Sequence, residues 1–189
     1  MKTISGLFDT HCEARRAVAA LEDAGVRDVS IISPENHGST EVTAAGAGIG
    51  AAVGGVGGLL AGLGTFAIPG IGPVVGAGWL ATTLIGAMAG GAAGGILGSL
   101  TEAGIDEDEA HVYAEGIKRG ATLVTARVDE TEAEAAEAIL SQHDRVDIAS
   151  RRADFESSGW SGFDEEYDHL VEGDEDRVST PIVAPYLPR

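Results

Sequence analysis

Between Glu41 and Glu102 the chain has no Asp, Glu, Lys, Arg or His, and 19 of its 28 glycines lie inside those bounds. Their spacing constrains the fold more than any other feature of the sequence. Gly46, Gly50, Gly54, Gly58 and Gly62 step by four, as do Gly86, Gly90, Gly94 and Gly98. That step returns to nearly the same side of an α-helix, so each run would give one helix a stripe of bare backbone. Val53, Val56, Leu59, Leu60 and Leu63 fill the remaining faces of the first run; Leu80, Leu84, Ile85, Ile96 and Leu97 fill those of the second. Ile68-Pro69-Gly70-Ile71-Gly72-Pro73 lies between them and stops any helix. The expectation is a helical hairpin over residues 43–66 and 75–100, inserted as a unit spanning 42–101.

Glycine costs about 1 kcal/mol per helical position relative to alanine, so a helix with such a stripe needs a compensating contact. Without Cβ atoms two helices can approach until their backbones touch. Small residues four apart are how membrane helices associate, since lipid supplies no hydrophobic drive between them. A helix of about 24 residues is roughly 36 Å long, against about 30 Å of hydrocarbon, and Trp79 fits an interfacial ring near the turn. Against this, no Lys or Arg cluster flanks the stretch to set an orientation, and Gly and Ala offer lipid little side chain. The leading reading is a hairpin that inserts into the inner (cytoplasmic) membrane, with the rest of the chain on its cytoplasmic side, or self-associates as a homo-oligomer. The alternative is a soluble cytoplasmic ligand-sensing or regulatory module that oligomerises through its sheet and uses the hairpin as a packing arm. In both, the helix-packing residues are the nine glycines at the two steps of four.

The net charge of −18, from 30 acidic and 12 basic residues, argues against nucleic-acid binding, which needs clustered Lys and Arg. A single cysteine, Cys12, cannot form an internal disulfide. The opening residues reach Asp9 before a signal-peptide apolar region could form, so both termini are expected in the cytoplasm.

Flanking the hairpin, Thr3 to Phe8 alternates as a strand, with Asp9 as helix cap. Ala14, Ala17, Val18 and Leu21 then mark one helix face, stopped by Gly25, and residues 28–33 form a second strand. Beyond the hairpin, Asp106 opens a helix whose buried face is Ala110, Tyr113, Ala114 and Ile117, stopped by Gly120. A strand follows at 121–128, then a helix capped by Asp129 or Thr131 and running to Leu140, and a last strand at 146–149. Phe8-Asp9, helix, Arg27-Asp28-Val29 resembles Val128-Asp129, helix, Arg145-Val146-Asp147 in order and length. Two such halves predict an α+β, ferredoxin-like domain of about four strands with helices on one face. It is discontinuous, over 1–41 and 102–150. Residues 151–189, with ten acids, read as a mostly disordered acidic tail. Its Phe155, Trp160, Phe163, Tyr167 and Leu170 are suited to docking on an unknown partner or on the protein's own domain.

Three stretches together resemble the bacterial general stress protein 17M-like (heat-induced stress protein) family. They are Gly6-Leu7-Phe8-Asp9 with its helix, Ala67-Ile68-Pro69-Gly70-Ile71-Gly72-Pro73 between glycine-rich arms, and Gly104-Ile105-Asp106-Glu107-Asp108-Glu109-Ala110 through Tyr113 to Gly120. The resemblance covers about residues 3–150. It implies a stress-response protein without an established enzymatic activity, and so brings no catalytic residues. Relatives lacking the glycine-rich arms would correspond to the α/β part alone, in keeping with an insertion at 42–101. The acidic tail lies outside the resemblance.

Other chemistry finds little footing. Gly-x-Gly-x-x-Ala occurs at 46–51, 62–67 and 76–81, but none directly follows an expected strand, as phosphate cradling requires. A P-loop is excluded because residues 42–101 have no lysine. His11, His37, His111, His143 and His169 form no zinc-type spacing. Cys12 and His11, adjacent on a helix, point about 100° apart and do not face one another. The acids at 106–109 cap a helix. The expectation is a non-enzymatic protein with no catalytic, metal or cofactor site.

Overall fold

The computed structural model describes residues 1–34, 64–89 and 95–164. In chain order these contain β1 (Lys2–Phe8), α1 (His11–Asp23), β2 (Asp28–Pro34), β3 (Gly64–Ile68), β4 (Gly72–Ala77) and α2 (Trp79–Ala89). There follow α3 (Gly95–Glu102), α4 (Glu107–Lys118), β5 (Thr122–Val128), α5 (Ala133–Gln142) and α6 (Ile148–Ser157). The strands form one antiparallel sheet in the order β1-β5-β2-β4-β3. The class is α+β.

The flanking elements form where local chemistry dictates. α1 begins at Thr10 rather than Asp9. The Thr10 hydroxyl accepts from the Glu13 amide at 3.2 Å, and the Glu13 carboxylate accepts from the Thr10 amide at 3.3 Å, a reciprocal box that satisfies two otherwise orphaned donors. Asp9 is left to pair with Arg151 at 2.6 Å. At the far end Gly25 takes φ +95°, which lets its amide reach Glu22 and the Val26 amide reach Leu21, closing the last turn. Gly104, Gly120 and Gly159 end α3, α4 and α6 the same way. Asp106 caps α4 by accepting from the Asp108 amide. The cap position of α5 is Glu132, rather than Asp129 or Thr131, and it makes no side-chain cap bond.

Side chains alternate across the sheet, and both faces are covered. On one, Ile4, Phe8, Val124, Ala126 and Val128 pack with Ala14, Ala17, Val18 and Leu21 of α1 and Ala133, Ala136 and Leu140 of α5. On the other, Leu7, Ile32, Val74 and Leu123 pack with Leu80 and Leu84 of α2, Ile96 and Leu100 of α3, and Ala110, Tyr113, Ala114 and Ile117 of α4. Helices therefore lie on two faces, not the one expected. Central β5 is buried along its length except at Arg127.

The described part of the glycine-rich stretch departs from a helical hairpin. Pro69 and Gly70 turn a β-hairpin: β3 and β4 pair from Gly64↔Gly76 to Ile68↔Gly72, and the Ile71 amide donates to Ile68. Short apolar runs fit strand and helix alike by periodicity. The β-branched and aromatic residues at 65–68 and 74–75, with positive φ at Gly70 and Gly72, decide for strand. The second arm is strand to Ala77, then two helices of 11 and 8 residues. No helix among the described residues is long and apolar enough to cross a membrane; α2 is roughly 16 Å long, about half a hydrocarbon core. The first arm, apart from residues 64–66, lies outside the described residues.

The predicted strand at 146–149 is the start of α6. Asp147 accepts from the Ser150 amide at 2.8 Å and caps the helix; that bond holds its carboxyl below the usual range. All that remains of the strand is the Val146 amide donating to the Leu7 carbonyl at 2.8 Å. The expected boundary at residue 150 thus falls inside a helix. Phe155 and Phe163, read as tail, are 4% and 5% exposed. Tyr167 and Leu170 lie outside the described residues.

Candidate functional site

Of the nine predicted helix-packing glycines, Gly86 on α2 and Gly98 on α3 are described. Gly46, Gly50, Gly54, Gly58, Gly62, Gly90 and Gly94 lie outside the described residues. α2 and α3 turn Leu80, Leu84, Ile96 and Leu100 inward, each 1% exposed or less. Their hydroxyls return to their own backbone: Thr83 donates to Trp79 O, Ser99 to Gly95 O and Thr101 to Leu97 O. A Cβ built on Gly86 or Gly98 would meet nothing within 4 Å among the described residues. Beside Gly86, Ile85 is 38% exposed, one of two large apolar side chains left open among the described residues. Bare backbone next to an apolar knob therefore faces outward on α2.

A second set of residues was not foreseen. In the sheet register Ser5 pairs with Thr125 and Thr125 with Ser30, so three hydroxyls cross β1, β5 and β2 in a row. Leu7, Leu123 and Ile32 form the apolar row on one side, and Thr3, Arg127 and Asp28 the polar row on the other. Ser30 donates to Ala77 O at 2.7 Å, and Ser5 donates to the Tyr113 phenol oxygen at 2.9 Å. The Thr125 hydroxyl is buried with no hydrogen-bond partner among the described residues. At the polar end the Arg127 guanidinium stacks 3.5 Å from the centre of the Trp79 ring, whose N–H donates to Asp28 O. Stacking of this kind is worth about 0.5–1 kcal/mol at exposed sites, and here it ties α2 to the end of β5.

Burial pushes the Tyr113 phenol up to about 12, and the Glu109 carboxylate adds to that rise, while the Ser5 hydroxyl works against it. At neutral pH the row therefore donates and accepts hydrogen bonds and takes no proton. Because the folded value is raised, the contribution of neutral Tyr113 is complete below about pH 10, where an unfolded tyrosine also keeps its proton. It is lost as pH rises through 12. The unfolding free energy is expected to fall by about 3 kcal/mol over that window. Urea unfolding at successive pH values should show that slope in the native chain and not in Tyr113→Phe.

Cys12 is exposed near the start of α1, and His11 precedes it on the same helix. No three of His, Cys, Asp and Glu gather as a metal site among the described residues. His111 accepts a hydrogen bond from the Phe163 amide, a contact with no local signal in the sequence. In comparisons with protein-family models, curated proteins and solved structures, nothing matches the chain.

Proposed function

We propose that the chain is a non-enzymatic assembly module, an α+β domain that associates with copies of itself through the outward glycine face of α2 and α3. The observation that carries this reading is the open space over Gly86 and Gly98 among the described residues, on helices that commit Leu80, Leu84, Ile96 and Leu100 to the core. A glycine inside a helix is destabilising by about 1 kcal/mol unless a second backbone comes close. With a net charge of −18, copies repel except where a surface lacks acids, and residues 42–101 are the longest such stretch. The order β1-β5-β2, with α1 connecting β1 to β2, supports a ferredoxin-like ancestry, a split βαβ unit widened by the β3–β4 hairpin in place of a fourth flanking strand. The resemblance to the general stress protein 17M-like family adds a role in the bacterial stress response.

The test is the double variant Gly86→Leu/Gly98→Leu. Since both positions open onto space, the fold is expected to survive, as read by far-UV circular dichroism. Sedimentation velocity should show the native chain as an oligomer and the variant shifted to monomer. An unchanged distribution refutes the interface. Carbonate extraction of cell membranes separates self-association from insertion: a chain anchored in lipid through 42–101 stays in the pellet, and an assembly held by protein contacts is released.

A further inference from the structure

We propose that residues 160–164 form a clasp over α4 that mild acid opens by protonating His111. The Phe163 amide donates to His111 Nδ1 at 3.1 Å, so the closed form requires a ring nitrogen that carries a lone pair and no proton. An imidazolium carries hydrogen on both nitrogens and would set two donors against each other. Gly159 (φ +89°) and Gly162 (φ +146°) turn the chain back after α6, and the Cβ position of Gly162 lies 3.7 Å from the same Nδ1.

On either side of that bond the contacts are apolar or cationic. Phe163 is buried within the larger core, with the Lys118 ammonium 6.0 Å from its ring centre. Arg119 lies 4.4 Å over Phe155, which meets Trp160 edge to face at 5.5 Å. On α4 Glu107 and Asp108 stand one turn before His111 and Glu115 one turn after it; Arg152 of α6 lies 3.7 Å from the Asp108 carboxylate, and Asp164 follows Phe163 in the chain. The Phe163 amide donates to the imidazole in the closed form. Opening would uncover the Phe163 seat and free the anchor of the chain beyond residue 164, where seven acids follow.

Amide hydrogen exchange by NMR on the full chain tests this. The protection factor of the Phe163 amide, corrected for intrinsic exchange, is expected to fall about tenfold or more between pH 8 and pH 5. His111→Gln keeps a side-chain acceptor and cannot titrate; its Phe163 amide should stay protected at both pH values. His111→Ala should leave that amide unprotected at both. Equal protection of the native chain at pH 5 and pH 8, or a parallel loss in His111→Gln, overturns the proposal. The Ile117 amide, in the core of α4, reports whether the domain itself stays folded at pH 5.

Discussion

Replacing Gly78 by alanine is expected to lower the unfolding free energy by about 3 kcal/mol, from two costs that add. Gly78 joins β4 to α2 at φ +95°, a conformation that costs an L side chain roughly 1–2 kcal/mol. Its Cβ position also collides with the β2 backbone, against the Val29 carbonyl and 2.7 Å from Ser30 Cα. Backbone at the centre of a sheet cannot move aside as a side-chain tip can, and forced overpacking costs about 1–3 kcal/mol. The junction is held there by neighbours on both sides: Ser30 donates to Ala77 O and the Trp79 N–H to Asp28 O. Urea unfolding should show a lower midpoint with unchanged slope. Gly86→Ala is the internal control, being helical, in open space, and expected to gain up to about 1 kcal/mol in the monomer. Equal effects at both glycines would mean that the β4–α2 junction does not press on β2.

How far the sequence reveals this fold depends on whether each signal is local. Thr10 and Glu13, or Gly25 and Gly120, act within one turn of chain, and the elements they bound lie where spacing puts them. Ala14, Ala17, Val18 and Leu21 are all buried, as are Ala110, Tyr113, Ala114 and Ile117. The errors arise where one pattern serves two structures. Val146-Asp147-Ile148 alternates like a strand, yet Asp147 with Ser150 three residues on is a helix cap, and the apparent likeness of the two halves hides it. Thr65 to Ile68 continues an apolar, glycine-rich run that a step of four makes helical on paper, while pairing with β4 makes it a strand. The hydroxyl row and the His111–Phe163 bond depend on register and on a reversal 52 residues later in the chain. Neither has a local signature. Gly86 and Gly98 lie in helices, as their spacing predicts, but in two of them, α2 and α3.

Leu84→Ala is expected to cost about 3 kcal/mol, and Ile85→Ala, one residue along the same helix, less than about 1 kcal/mol. The contrast follows from burial: Leu84 is 1% exposed and packs in the cluster shared by the sheet, α3 and α4, whereas Ile85 is 38% exposed. Truncating Leu84 removes apolar contact and leaves a cavity among Leu, Ile and Tyr side chains too interlocked to collapse fully. The pair also decides how the glycine-rich stretch relates to the domain around it. Were residues 79–102 an arm separate from the α+β core, neither substitution would move the unfolding transition of β1, β5 and β2. If α2 closes one face of that sheet, as the shared cluster of Leu84, Leu100 and Ile117 requires, Leu84→Ala lowers the urea midpoint of the whole domain in a single transition. Ile85→Ala leaves that midpoint nearly unchanged while weakening association in sedimentation. Core and proposed interface thus separate at adjacent residues of one helix.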